Sequence, residues 1–170
     1  MRALLVIDML NDFVRDDGAL PVEGAEKLIP RINEAITKFR ERGEPVIFIA
    51  DSHDPDDKEF KIWPKHCVRG TKGAQVVDAL DKEPGDELVE KTTYSAFYNT
   101  RLDEVLKEKG VDELVLTGVL TNICVLHTAA DAAMRGYKVK VLKDCVASSS
   151  DENHEWALRH MREVLNAVIE

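Results

Sequence analysis

Leu4-Leu5-Val6-Ile7-Asp8 is the stretch that decides the fold. Four successive apolar residues leave no polar face, the pattern of a strand covered on both sides and so of a parallel sheet between helices. The pattern returns at residues 45–50 and at Leu114-Val115-Leu116, and Val139-Lys140-Val141-Leu142 and residues 87–90 also read as strands. Helical patterns fall between. Leu28, Ile32, Ala35, Ile36 and Phe39 recur at helical spacing, and Gly43 follows as a stop. Residues 74–80 read as a second amphipathic stretch. Thr100 opens a third helix, with Asp103 as an acidic variant of a capping box, and Gly110 closes it. Residues 124–135 read as a helix stopped by Gly136, and Asp151 caps a last helix that runs to about Asn166. The alternation predicts an α/β fold over residues 1–170, a single-domain three-layer α-β-α sandwich with a mostly parallel central sheet.

The composition agrees with a globular enzyme-sized domain. The chain has 170 residues, 44% of them apolar and 32% charged, with no repeat or low-complexity segment. Its 23 basic and 32 acidic residues give a net charge of −9, which disfavours nucleic acid and anionic membranes as partners. No apolar run approaches the roughly 20 residues of a membrane helix. The N-terminal MRALLVIDM lacks a cleavage site and reads as a first strand. Three widely spaced cysteines, Cys67, Cys124 and Cys145, suggest no disulfide framework, and a cytoplasmic location is expected. No G-x-G-x-x-G follows the first strand, which excludes a dinucleotide-binding fingerprint.

In parallel sheets ligands sit at the carboxyl ends of the strands. Here those ends carry Asp8, Asp51-Ser52-His53, Lys91 and the segment after Gly118. Cys124 lies six residues past Gly118, at the start of the predicted helix. The exposed N–H groups there would lower its pKa and face an oxyanion formed at the sulfur. The other reading of Cys124 is a small buried hydrophobe. A nucleophilic thiol needs a base. Asp8, partly desolvated at the end of an apolar strand, fits that role, and His127, three residues beyond Cys124, is a rival. Lys91 is either a solvated strand-end lysine or the cation that favours both anions. Asp51 and His53, at i and i+2, can converge, and His66 follows thirteen residues on. One carboxylate and two imidazoles suit Zn²⁺, Mn²⁺ or Fe²⁺ with open positions left over. Cys67 is a competing ligand, although adjacent extended residues point apart. His154 and His160 read as surface residues of the last helix.

Five motifs in order now carry a resemblance: Leu5-Val6-Ile7-Asp8-Met9-Leu10-Asn11-Asp12-Phe13; Asp51-Ser52-His53; Trp63-Pro64-Lys65-His66-Cys67-Val68 with Gly70-Thr71-Lys72-Gly73; Lys91 with Tyr94-Ser95-Ala96-Phe97; and Gly118-Val119-Leu120-Thr121-Asn122-Ile123-Cys124-Val125. The chain resembles the nicotinamidase (pyrazinamidase) branch of the isochorismatase-like cysteine hydrolases. The resemblance implies a catalytic set of Asp8, Lys91 and Cys124. It implies a non-proline cis peptide before Leu120, whose N–H would join that of Cys124 in an oxyanion hole. It implies one divalent metal ion, zinc first and manganese or iron as alternatives, on Asp51, His53 and His66. Phe13 and Trp63 would wall a small amide substrate, with Leu20 at the pocket rim. The activity implied is hydrolysis of nicotinamide to nicotinate and ammonia through a cysteine thioester, a step of NAD salvage, in a homodimer or higher homo-oligomer. Some relatives hold a fourth ligand in the loop after the D-x-H. Here that loop contains Asp54, Asp56, Asp57 and Glu59, among which the sequence does not choose. The alternatives are an amidase of the same family acting on another small amide, and a non-catalytic binding module on the same fold.

Overall fold

The computed structural model describes all 170 residues, Met1–Glu170. Six parallel strands form one sheet in the order β3-β2-β1-β4-β5-β6. They are β1 (Arg2–Ile7), β2 (Val46–Asp51), β3 (Glu87–Lys91), β4 (Glu113–Val119), β5 (Lys138–Ala147) and β6 (Val168–Ile169). The order reverses between β1 and β4, and the carboxyl ends of those two strands are where such sheets open a crevice.

Alternation along the central strands builds two cores. Ala3, Leu5 and Ile7 of β1 face the side covered by α3 (Leu102–Glu108), α4 (Leu126–Met134) and α5 (Asp151–Leu165). Leu4 and Val6 face the side covered by α1 (Asn11–Val14) and α2 (Ile29–Glu41). All five of these β1 residues are at most 1% exposed. A fully buried aliphatic side chain contributes about 1.5–3 kcal/mol, so the apolar run fixes the middle of the sheet. No helix is long and apolar enough to cross a membrane.

Several elements depart from the sequence reading. Residues 74–80 are not a helix. After a 3-10 turn at Lys72–Ala74, the Gln75 carbonyl accepts from Asn11 N and the Val77 N–H donates to the Met9 carbonyl, so the chain bridges antiparallel to residues 9–11. Those tertiary bonds take the backbone groups a helix would need. The last helix is capped by Ser150, whose hydroxyl accepts from Asn153 N, and Asp151 is its first residue. The third helix begins at Leu102. The Thr100 hydroxyl accepts from Leu102 N, but Asp103 bonds Lys107 and Tyr137 instead of closing a capping box. The helix read from residue 124 starts earlier, as a π-helical turn at Thr121–Val125 that runs into α4.

Gly118 is the one glycine on which this end of the sheet depends. Its φ is 106°, and a Cβ there would collide with the Ile7 carbonyl of the neighbouring strand. Beside it the β4–β5 register shifts between Leu116 and Gly118. Only glycine permits that approach, which sets the exit of β4 against the exit of β1.

Candidate active site

Lys91 stands at the centre of the site. It is the last residue of β3, in register with Asp51, the last residue of β2. Its side chain is fully buried. Its ammonium lies 2.9 Å from Asp8 Oδ2, 2.8 Å from the Thr93 carbonyl and 3.5 Å from Cys124 Sγ, and it also donates to Asp51 Oδ1. Asp8 follows β1 at φ 53°, a conformation aspartate tolerates better than most residues, and its Oδ1 accepts the Asp51 N–H at 3.0 Å.

One cation therefore serves two buried carboxylates, and they divide it unequally. Burial alone would push the Asp51 carboxyl up, but Lys91 and two imidazoles hold it below the usual carboxylate range. Burial and the neighbouring Asp51 charge raise Asp8 to about 6, with Lys91 opposing. Burial would also deprotonate Lys91, but the two carboxylates hold its pKa well above the ordinary lysine value. The result is a permanent ion pair beside a carboxylate basic enough to take a proton.

Cys124 is 5% exposed, its only side-chain hydrogen-bond partner is Lys91, and the Asp8 carboxylate acts on its thiol electrostatically. The expectation of a lowered thiol pKa is not met. Burial pushes it well up, the two carboxylates add to that, and Lys91 opposes them. The sulfur also sits inside the π-helical turn, not at a free helix end. At rest the thiol keeps its proton. The Val119–Leu120 peptide is cis, as the resemblance implied. The Leu120 carbonyl closes the turn by accepting from Ile123 N and Val125 N, while the Leu120 N–H has no backbone acceptor.

The second group is continuous with the first through Asp51. One donor atom from each of Asp51, His53, Glu59 and His66 lies within 4.8 Å of every other. His53 Nε2 is 3.3 Å from Asp51 Oδ2 and 3.2 Å from Glu59 Oε2. His66 Nε2 is 3.7 Å from the first of these oxygens and 3.4 Å from the second. Burial favours neutral imidazoles, yet the carboxylates overcome it and push His53 up to about 10 and His66 to about 9. Lys91 pairs with Asp51 Oδ1, but Asp51 Oδ2 and Glu59 face only the two imidazoles, whose protons a divalent cation would replace. The donor set fits a zinc-like ion. Glu59 is the residue sequence reasoning did not single out. The 3-10 turn at Lys58–Lys61 turns it inward, while Asp54 pairs with Arg69 and Asp56 is exposed.

Between the two groups opens a cavity of about 90 Å³, walled by Phe13, Leu20, Trp63, Tyr94, Leu120 and Ile123, with Cys124 on one side and Asp51, Glu59 and His66 on another. No lysine or arginine lines it. Trp63 Nε1 donates to Tyr94 Oη at 3.1 Å and ties two walls together. The volume is far below the roughly 300 Å³ at which drug-sized ligand pockets begin, so it suits a single small ring.

The isochorismatase domain family matches residues 2–170. The chain belongs to the isochorismatase family. A pyrazinamidase/nicotinamidase from Streptococcus mutans UA159 is 41% identical over the whole of both chains, with a TM-score of 0.94. An N-carbamoylsarcosine amidase from Thermoplasma acidophilum is 40% identical over 99% of this chain and 95% of that one, with a TM-score of 0.92. A pyrazinamidase of Pyrococcus horikoshii, in complex with zinc, is 36% identical over 99% and 98%, also at 0.92. The fold is the isochorismatase-like one, and the chain is a hydrolase of the amidase type within it.

Against this family background, the structure brings Asp8, Lys91 and Cys124 together, and Asp51, His53 and His66 together, and it sets Phe13, Leu20 and Trp63 around the cavity. Other candidates fall away. His127 is exposed, and its Nδ1 donates to the Ile123 carbonyl at 2.7 Å, not to the sulfur. Cys67 is buried at φ 46° with its thiol directed to the Gly73 carbonyl, and burial pushes its pKa far up. Burial likewise raises Cys145, to about 11. His154 is not a simple surface residue. It is half-buried, with Nδ1 2.8 Å from the hydroxyl of buried Thr121. His160 is also half-buried, and its ring stacks on Trp156. Tyr94, Ile123 and Ser149 were missed as lining residues. Tyr94 stood in the motif Tyr94-Ser95-Ala96-Phe97, but nothing in the sequence marked its side chain as a cavity wall.

Proposed function

We propose that the chain hydrolyses nicotinamide to nicotinate and ammonia by covalent catalysis at Cys124. The observation that carries this reading is the shape and charge of the cavity. It is small and apolar, it runs from the Cys124 thiol to a four-donor cluster, and it presents no lysine or arginine. The lining offers a carboxylate-bearing substrate no lysine or arginine to pair with. A neutral aromatic amide meets apolar walls. This favours a pyridine or pyrazine carboxamide over ureido acids and over the sarcosine derivative named for one relative.

Asp51, His53, Glu59 and His66 would hold the divalent ion, with zinc the first expectation. When bound, that ion supplies a Lewis-acid anchor for a ring nitrogen, which orients the substrate. Phe13 and Trp63 would flank the ring. Asp8 would take the thiol proton, and the Cys124 sulfur would bond to the amide carbon. The N–H groups of Leu120 and Cys124 would hold the oxyanion, an arrangement worth about 3–4 kcal/mol per donor in other enzymes. Protonated Asp8 would return its proton to the nitrogen as the C–N bond breaks, releasing ammonia. Asp8 would then take a proton from water as its oxygen attacks the thioester, and return that proton to sulfur as nicotinate leaves. Lys91 stays protonated throughout and balances the negative charge that moves among Asp8, sulfur and oxyanion.

The test is ammonia release from nicotinamide, pyrazinamide and N-carbamoylsarcosine compared side by side. The reading expects kcat/KM for the two ring amides to exceed that for the carboxylate by at least about 10²-fold, the scale on which a misfit polar group is rejected. Preference for the ureido acid would move the substrate elsewhere in the family. The physiological setting in NAD salvage, and assembly as a homodimer or larger homo-oligomer, are part of the same proposal.

A further inference from the structure

Asp57 lies outside the four-donor cluster, at the cap of the 3-10 turn Lys58–Lys61, yet both of its oxygens engage cluster residues. Oδ1 accepts the Glu59 N–H at 2.8 Å. Oδ2 stands 3.0 Å from His53 Nδ1. We propose that Asp57 is a positioning residue for a divalent cation at Asp51, His53, Glu59 and His66: one carboxylate sets which nitrogen of His53 faces the cation and where the Glu59 carboxylate stands. The inference rests on the cation reading of that cluster.

A carboxylate only accepts, so its partner nitrogen must carry the hydrogen. That places a proton on His53 Nδ1, outside the cluster, and leaves Nε2, which points into the cluster, as the nitrogen whose proton a bound cation would displace. Nε2 is the atom lying 3.3 Å from Asp51 Oδ2 and 3.2 Å from Glu59 Oε2. The other tautomer would point an N–H into the cluster and set a nitrogen lone pair against Asp57. His53 Nδ1 has no second acceptor, and its ring is fully buried, so water does not replace Asp57.

The same side chain fixes Glu59 from its amino side. The Glu59 carbonyl is fixed from the other side, where it accepts from Ile62 N and Trp63 N. With its N–H and its carbonyl both tied, Glu59 has little freedom left except at its side chain. The loop's other acidic residues do not share this role. Asp54 is exposed and pairs with Arg69 at 2.9 Å, and Asp56 is exposed. Asparagine at position 57 would be nearly isosteric but offers one accepting oxygen and one donating nitrogen. It can serve the Glu59 N–H or the His53 N–H, not both.

The experiment measures Zn²⁺ affinity of the metal-stripped full chain by competition with a chromophoric chelator, for wild type, Asp57→Asn and Asp54→Asn. Asp57→Asn should weaken zinc binding about 10- to 100-fold, the usual cost of losing a partner behind a ligating histidine. Asp54→Asn should leave it within about twofold, as for an exposed ion pair. Long-range ¹⁵N NMR of zinc-loaded wild type does not depend on any variant folding, and should find the His53 proton on Nδ1. Equal zinc affinity in Asp57→Asn, or a proton on Nε2 in wild type, overturns the proposal. Wild type that binds no zinc overturns the cation reading beneath it as well, so the two failures are told apart.

Discussion

The two halves of the site share Asp51 but balance their charge differently. Around Cys124 the balance is internal: Lys91 is buried against Asp8 and Asp51, and no outside ion is needed to hold them. Around His53 and His66 it is not, because Asp51 and Glu59 face imidazoles that are cationic only while they hold protons. In the proposed mechanism the first half does proton and acyl chemistry with its own atoms. The second is proposed to receive a cation. Separate jobs on a shared carboxylate should therefore be separable by substitution.

Cys124→Ala should break the first half alone and have the largest effect. Turnover should fall by at least about 10⁴-fold, as when nucleophiles are removed elsewhere, while zinc affinity measured by chelator competition stays unchanged. Asp51→Asn comes next because it damages both halves. It leaves Lys91 with one carboxylate and strips the cluster of a donor. Breaking one partner of a buried pair costs about 3–5 kcal/mol, to be read from the denaturant midpoint, and zinc binding should weaken with it. Without the Asp51 charge, the Asp8 pKa should fall from its raised position, making Asp8 a weaker base for whatever protein remains folded.

His66→Ala should break the second half alone. Nicotinamide turnover should drop by about 10²-fold, the cost of misplacing a reacting group by about an ångström, whereas alkylation of Cys124 by iodoacetamide should keep its rate. A matching loss of alkylation would mean that the halves are not independent. Trp63→Phe should have the smallest effect. It keeps an aromatic wall and removes the Nε1 bond to Tyr94, so KM for nicotinamide should rise by about two- to tenfold, the worth of one neutral hydrogen bond, with kcat little changed.

The central sheet was legible because its signal is local. Val6 and Ile7 need no partner to read as buried strand, and the helical spacing of Leu28 to Phe39 survives in α2. The carboxyl-end rule then pointed to Asp8, Asp51 and Lys91 before any geometry was known. What could not be read depends on contacts across the chain. The amphipathic look of residues 74–80 yields to backbone bonds with Met9 and Asn11. The Cys124 thiol was expected to be acidic from its place near a helix start, but burial and two carboxylates reverse the sign, and neither is visible in a one-dimensional pattern. Glu59 was one of four acidic residues in a short loop. What selects it is a 3-10 turn capped by Asp57, a conformation with no periodicity to detect. His154 reads as a helix-surface residue until its bond to Thr121 is seen.

The most direct test of the account is ammonia release from nicotinamide by purified protein stripped of metal and then reloaded with Zn²⁺, with Mn²⁺ and Fe²⁺ in parallel. The account predicts fast turnover that disappears on stripping and returns on reloading, while Cys124 stays reactive toward iodoacetamide in both forms. Absence of turnover with every metal, or full turnover in stripped protein, would contradict it.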